Sequence, residues 1–394
     1  MKDYKIHLQY VGTARLKNDI WFSNLGFNGL FSMYINNSVL KYRNKIPFLE
    51  ENVECAYANA NLVYENKLFF FPNNCKEIMI YDVITDKFQK VTIFPLDNDD
   101  VYITAGVIQW GKSVLIFPYK LEQGIFILDL TTFQLKHEIG FNKLLENFKN
   151  ILYFIKLDIT TIAVLTENNA IIELDIEKKE KKYFKQFNQN LDIVAIAYNK
   201  NSYWLLLNKV TDIYEWNRAQ GELIKYQLQE EEWLNEGGIP YSNIIFVDER
   251  IIVLNFYLKY IMEIDKNAHS IKKAIEYPKG FRFLDNKFRA WRAFAAFDVI
   301  DQKIWLHPVR GNMLLIYDIK GNYIEGKKIV VSTVDFPAAL EGVEENILIN
   351  NDIICERDDM GGISGFIEVI GGKDYIKKQS QFSGNIVHKI IMDM

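Results

Sequence analysis

A motif of two short apolar runs, the second closed by an acid or an amide, returns at near-constant spacing along most of this chain. It constrains the fold more than any other feature. The clearest copy is Leu68-Phe69-Phe70-Phe71-Pro72, a turn through Asn73-Asn74, then Ile78-Met79-Ile80-Tyr81-Asp82. Val83 to Lys87 form a second turn, and Phe88-Gln89-Lys90-Val91 a more polar strand. Another copy runs Val114 to Pro118, Ile125 to Asp129, then Leu135. Later copies close at Asp175, Asn217, Asp265 and Asp318; an N-terminal copy, Ile20 to Ser23 and Leu30 to Asn36, keeps the shape without the acid. Successive markers from Asn36 to Asp318 stand 42 to 53 residues apart.

The runs are too short for helices, are rich in β-branched and aromatic residues, and are bounded by turn formers. The second run of each copy is nearly continuous in apolar character, as a strand covered on both faces must be. A period in the forties with four short strands per unit is that of a propeller blade. The repeat also explains how 394 residues form one unit, since each blade only has to bury its faces against its neighbours. The predicted fold is all-β: a seven-bladed β-propeller of four-stranded antiparallel blades over residues 1–335, with six or eight blades as the alternative.

The closing Asp has a structural task. Its carboxylate can accept backbone N–H groups two residues on and so nucleate a tight turn. An apolar residue follows six positions after it in four copies (Phe88, Leu135, Ile271, Ile324), and Leu223 does so after Asn217. That offset predicts the hairpin register. The stretch Ile80-Tyr81-Asp82-Val83-Ile84-Thr85-Asp86-Lys87-Phe88-Gln89-Lys90-Val91 resembles the latter half of a Kelch repeat, in which a tyrosine–aspartate pair precedes a turn and an aromatic. The likeness extends over roughly residues 20–330 as a blade pattern and implies Kelch-type topology. Where a Kelch strand ends in a double glycine, this chain has Phe71-Pro72, Phe117-Pro118 and His307-Pro308.

The repeat stops after Asp318. Ile363, Phe366, Ile367 and Ile370 have helical spacing between Gly361-Gly362 and Gly371-Gly372, which predicts a short helix near 363–370. The apolar run near 386–391 reads as a strand that closes the ring and removes an exposed edge. Residues 336–394 are thus expected to be a C-terminal extension.

Composition narrows the functional classes. With 46 basic and 51 acidic residues the formal charge is −5, the wrong balance for a nucleic-acid scaffold. Cys55, Cys75 and Cys355 are few and far apart, which suits a reducing compartment without disulfides. The first residues carry no signal-peptide pattern and no run is long enough for a membrane helix, so a cytoplasmic protein without membrane contact is expected. No GxGxxG, P-loop, HExxH or GxSxG motif occurs. No cofactor or metal is expected, and no catalytic residue stands out.

The candidates lie on connections at one end of the ring, where a propeller leaves side chains free of packing duty. They are Asn24 and Asn28, Tyr119 and Lys120, Lys209, Tyr257 and Lys259, and His307 and Arg310. A longer connection, 279–292, adds Arg282, Arg289, Trp291 and Arg292. Arg forks recognise carboxylates and phosphates, and Trp and Arg are frequent binding hot spots. The plain alternative is that the aromatics pack beneath the loop and the asparagines merely form turns. The expected function is a non-catalytic scaffold that presents these loops to a protein or peptide partner, or to a small polar or anionic ligand. The alternative is an enzyme or accessory enzyme acting on a sugar or modified peptide at the axis.

Overall fold

The computed structural model describes residues 4–24, 27, 29–47, 61–73, 75–93, 102–228, 241–255, 260–283, 294–309, 311–341, 343 and 355–356. The predicted helix near 363–370 and strand near 386–391 lie outside these residues. The described chain is all-β apart from short helical turns, and its antiparallel four-stranded meanders follow one another in a propeller-like arrangement. Meanders I (10–45), II (61–92), III (104–137), IV (151–186) and VII (294–327) are separate sheets. Meanders V (193–228) and VI (241–276) join into one eight-stranded sheet, because Gln227–Leu228 pair in parallel with Ser270–Ile271.

Burial within a meander follows the sequence pattern. In meander IV the second and third strands, Thr161–Thr166 and Ala170–Asp175, are buried at every residue, whereas the outer strand Glu180–Gln186 is exposed or half-buried throughout. An apolar cluster fills each interface between consecutive meanders, and a further one fills that between VII and I. First strands of adjacent meanders come very close. A Cβ added at Gly106 would stand 2.3 Å from the Phe154 ring, so only glycine fits where meanders III and IV meet.

The aspartate turns form as the sequence implies. Asp82 Oδ1 accepts the N–H groups of Ile84 and Thr85, Asp129 those of Thr131 and Thr132, Asp175 those of Glu177 and Lys178, and Asp265 those of Asn267 and Ala268, at 2.8 to 3.1 Å. Asn217 does the same for Ala219 and Gln220 with an amide oxygen. The offset of six sets the register in four hairpins, pairing Tyr81 with Phe88, Leu128 with Leu135, Trp216 with Leu223 and Ile264 with Ile271. Meander VII departs from this. Its turn closes on Asn322, which bonds Asp318 through both N and Nδ2, the register shifts, and Tyr323 rather than Ile324 faces Tyr317.

These turns predict a pH response. The side-chain bond from Thr131 holds the Asp129 carboxyl below its usual range, the Thr85 amide does so for Asp82, the Lys178 amide for Asp175, Lys272 for Asp265 and Asn322 for Asp318. A carboxyl whose folded pKa is depressed contributes stability above its unfolded pKa, about 3.9, and loses it as pH falls through the folded value. The melting temperature should therefore hold from neutral pH to about 5 and fall below about 4. Asp129→Asn, which copies the turn at Asn217, should blunt that fall. A wild-type melting temperature that stays unchanged as the pH is taken from about 5 down to about 2.5 would refute the assignment.

The ends of the described chain meet. Lys5–His7 pairs with Val330–Ser332 on one side and Cys355–Glu356 on the other, and Ile6, Leu8, Ile329 and Val331 are buried in the VII–I cluster. A helix, Ile139–Leu145, follows meander III and has no counterpart in the sequence expectations. The Glu138 side chain caps it by accepting the Gly140 N–H, and Phe141 and Leu145 anchor it.

Candidate functional site

The connections between second and third strands lie at the same end of the meanders as the starts of the first strands. Six first strands begin with a register shift: those starting at Tyr10, Thr104, Ile151, Ile193, Tyr241 and Phe294. Such bulges bend the strand and re-aim the side chains beside it.

Most amides at this end are engaged in holding the loops. Asn169 Oδ1 accepts the Ile193 N–H and its Nδ2 donates to Asn188 O, stitching meander IV to V. Asn312 Oδ1 accepts the Arg282 N–H and its Nδ2 donates to Gly280 O. Glu167 accepts the N–H groups of Lys149 and Asn150 at 2.9 Å. Tyr119 is half-buried and works through its backbone, donating to Ile103 O and accepting from Ile151 N. Phe281 and Phe283 pack with Tyr277 beneath the 279–283 stretch, so these aromatics are structural. Lys120, Lys209 and Arg282 are exposed. Asn28, Tyr257, Lys259, Arg289, Trp291, Arg292 and Arg310 lie outside the described residues.

Two candidates come together. Asn24 shares a strand face with Phe22, and His307 shares one with Trp305; Phe22 and Trp305 belong to the VII–I cluster, so both polar residues face that seam. Asn24 Oδ1 accepts the Gln9 N–H at 2.7 Å. The His307 ring lies 5.2 Å from that of Tyr10, and its Nε2 stands 2.8 Å from Asp298 Oδ2. Burial pushes the Tyr10 hydroxyl far above its usual pKa, so it stays protonated. Gln9 Nε2, Asn24 Nδ2, Trp305 Nε1 and His307 Nδ1 are buried without hydrogen-bond partners among the described residues. Each such atom costs about 1–3 kcal/mol if left dry, so this seam favours polar occupants.

Sequence reasoning missed a second set of polar residues. Glu173 is buried and accepts from Tyr203 Oη and Arg218 Nη1, both at 2.6 Å. Glu215, also buried, accepts from Tyr226 Oη at 2.8 Å and Lys266 Nζ at 3.0 Å. Arg250 grips Glu263 with two bonds of 3.1 Å and donates to Ile319 O. Each glutamate stands two residues before a turn marker, at Asp175, Asn217 and Asp265, and the cation that reaches Glu173 or Glu215 stands one residue after the marker of the next meander. That double offset was the available signal. Among the described residues, no group of three His, Cys, Asp or Glu side chains is placed to hold a metal ion.

No protein-family model matches the chain, and no curated protein matches it. Solved structures do. The extracellular domain of the hybrid two component system BT3049 from B. thetaiotaomicron is similar with a TM-score of 0.52 and 15% identity, over 79% of this chain and 40% of that one. That of the one component system BT4673 from the same organism gives 0.52 and 14%, over 81% and 42%. BamB from Moraxella catarrhalis gives 0.47 and 12%, over 83% and 84%. At such identities the two likenesses with TM-scores above 0.5 concern the fold alone, and they agree with the sheet order of an all-β, propeller-like protein. Among the described residues no helix is long and apolar enough to cross a membrane.

Proposed function

We propose that this chain is a seven-bladed, non-catalytic binding ring that presents the loop end of its blades to a protein or peptide partner. Seven blades are supported by meanders I to VII and by an apolar cluster at every junction, VII to I included. Tyr81-Asp82 and Tyr317-Asp318 keep the Kelch-like turn pair. The small number and wide spacing of Cys55, Cys75 and Cys355 support a reducing, cytoplasmic setting; the extracellular origin of two similar structures is the competing consideration.

One observation carries the binding reading. The loop end is stiffened by its own amides, while Lys120, Lys209 and Arg282 stand exposed on it from three separate places in the ring. Preorganised loops with projecting cations lose little entropy on meeting an acidic or carboxylate-bearing partner. The enzymatic alternative would use the His307–Asp298 pair as acid–base machinery. His307 is 0% exposed, which denies its ring direct contact with a substrate and favours the binding reading.

The experiment is affinity capture from the native host with the wild-type ring and with a Lys120→Glu/Lys209→Glu/Arg282→Glu variant. A partner retained by the wild type should be lost by the variant at unchanged melting temperature. Equal recovery would overturn the assignment of this end as the binding face.

A further inference from the structure

The outer rim of meander IV differs from the rest of this acidic protein. Its outermost strand, Glu180–Gln186, and the turn before it carry five lysines within eight residues: Lys178, Lys179, Lys181, Lys182 and Lys185. Lys179 and Lys182 are paired at 2.9 Å with Glu138 and Asp175. Lys181 and Lys185 instead lie over aromatic rings, Lys181 above Phe184 at 5.6 Å and Lys185 above Trp216 at 3.9 Å. Arg218 stacks on Tyr183 at 4.2 Å. Phe184 is 48% exposed. On its inner side the strand pairs with Ala170–Asp175; among the described residues no strand pairs with its outer edge.

The register arranges these groups on both sides of the open edge. Pairing runs Leu174 to Lys181 and Glu173 to Tyr183, with a shift that leaves Lys182 as the extra residue. Facing residues in a ladder share a side of the sheet. Lys181 and Phe184 therefore stand on the side of Leu174 and Ile172, towards meander III, while Tyr183 and Lys185 stand on the side of Glu173 and Ile171, towards meander V. Without that bulge Lys181 and Lys185 would share one side. With it, each face beside the edge offers a cation over a ring. A lysine comb on an edge strand repels neutral and basic strands, and the same comb is complementary to an acidic one.

We propose that the outer edge of Glu180–Gln186 is a docking site for an acidic, extended polypeptide segment that adds to the sheet as a fifth strand. Backbone hydrogen bonds along the edge would supply affinity. Alternate side chains of the segment would place carboxylates against Lys181 on one face and Lys185 on the other, with apolar contact on Phe184 and Trp216. Nucleic acid is the less suited occupant, since Glu177 and Glu180 interrupt the lysines and three of the five, Lys178, Lys179 and Lys182, are already ion-paired. The site lies on the rim, away from the loop end, and does not depend on the reading given above.

The test uses the full chain and a fluorescein-labelled ten-residue peptide of glutamates interrupted by two tyrosines. Saturable binding that weakens with added salt is expected, together with slowed hydrogen exchange in Glu180–Gln186. Lys181→Glu/Lys185→Glu should weaken it about tenfold or more at an unchanged melting temperature. Lys178→Glu/Lys181→Glu provides a second variant that leaves the ring contact of Lys185 intact. No saturable binding, equal binding by the variants, or tighter binding of a single-stranded oligonucleotide would overturn the proposal. Binding without slowed exchange along that strand would overturn the strand-addition geometry.

Discussion

Replacing Arg218 with alanine should destabilise the protein by about 3–5 kcal/mol, among the largest losses expected from any single surface-reaching side chain. Glu173 explains the size. Its carboxylate is 5% exposed and rests on two charge-assisted bonds of 2.6 Å, one from Tyr203 Oη within the IV–V interface and one from Arg218 Nη1. Without Arg218 an anion stays buried with a single neutral donor, and it must either bear that cost or take up a proton. The loss of stacking on Tyr183 adds to the effect.

The sign reverses when both partners are removed. In a Tyr203→Phe background, where no hydroxyl is left buried without its Glu173 acceptor, Glu173→Leu/Arg218→Met leaves no stranded charge, so it should be near neutral or stabilising, because a buried ion pair contributes little net stability over an apolar substitute. Urea unfolding of the two single variants and the double variant forms the cycle. A loss below about 1 kcal/mol for Arg218→Ala, the range of an exposed pair, would show that Glu173 is solvated in solution. Lys266→Ala should cost less than Arg218→Ala although Glu215 is equally buried, since Lys266 is itself 53% exposed and water can take its place.

These carboxylate clusters show where the sequence was legible and where it was not. Strand positions, the four-strand unit and the aspartate turns could be read because each is local: apolar run lengths and a turn former at its end specify them within about ten residues. The Glu173–Tyr203–Arg218 cluster could not, since its members come from two meanders and only meet when those pack. The bulge in meander IV that moves Lys181 away from Lys185 is similarly invisible in a lysine-rich string. Asn24 and His307 were found as loop-end polar residues. Their convergence through Tyr10 was hidden because it joins the first and last meanders, 283 residues apart in the chain. The register in meander VII was misread for a local reason: Asn322 bonds Asp318 twice and shifts the hairpin, so the apolar Ile324 is left 44% exposed.

Ile6→Ala/Leu8→Ala should unlatch the ring at this same seam. Both side chains are buried in the VII–I cluster, at 0% and 2% exposure, with Val331 opposite Ile6 across the strand pair and the Leu8 N–H bonded to Ile329 O at 2.8 Å. Each truncation removes about 2–5 kcal/mol, and because the two share one cluster the sum will not be additive. In an open repeat array such a loss would stay at the end where it was made. In a closed ring it reaches both ends, because Tyr10 of meander I and Trp305 of meander VII lose the same cover. Hydrogen exchange should therefore accelerate together in Tyr10–Leu16 and Phe294–Ile300, while Ser202–Leu207, on the far side of the ring, keeps most of its protection. Acceleration confined to the residues next to the substitutions would mean that meanders I and VII do not stabilise one another. Equal acceleration everywhere would mean that the seam opens only with the whole fold.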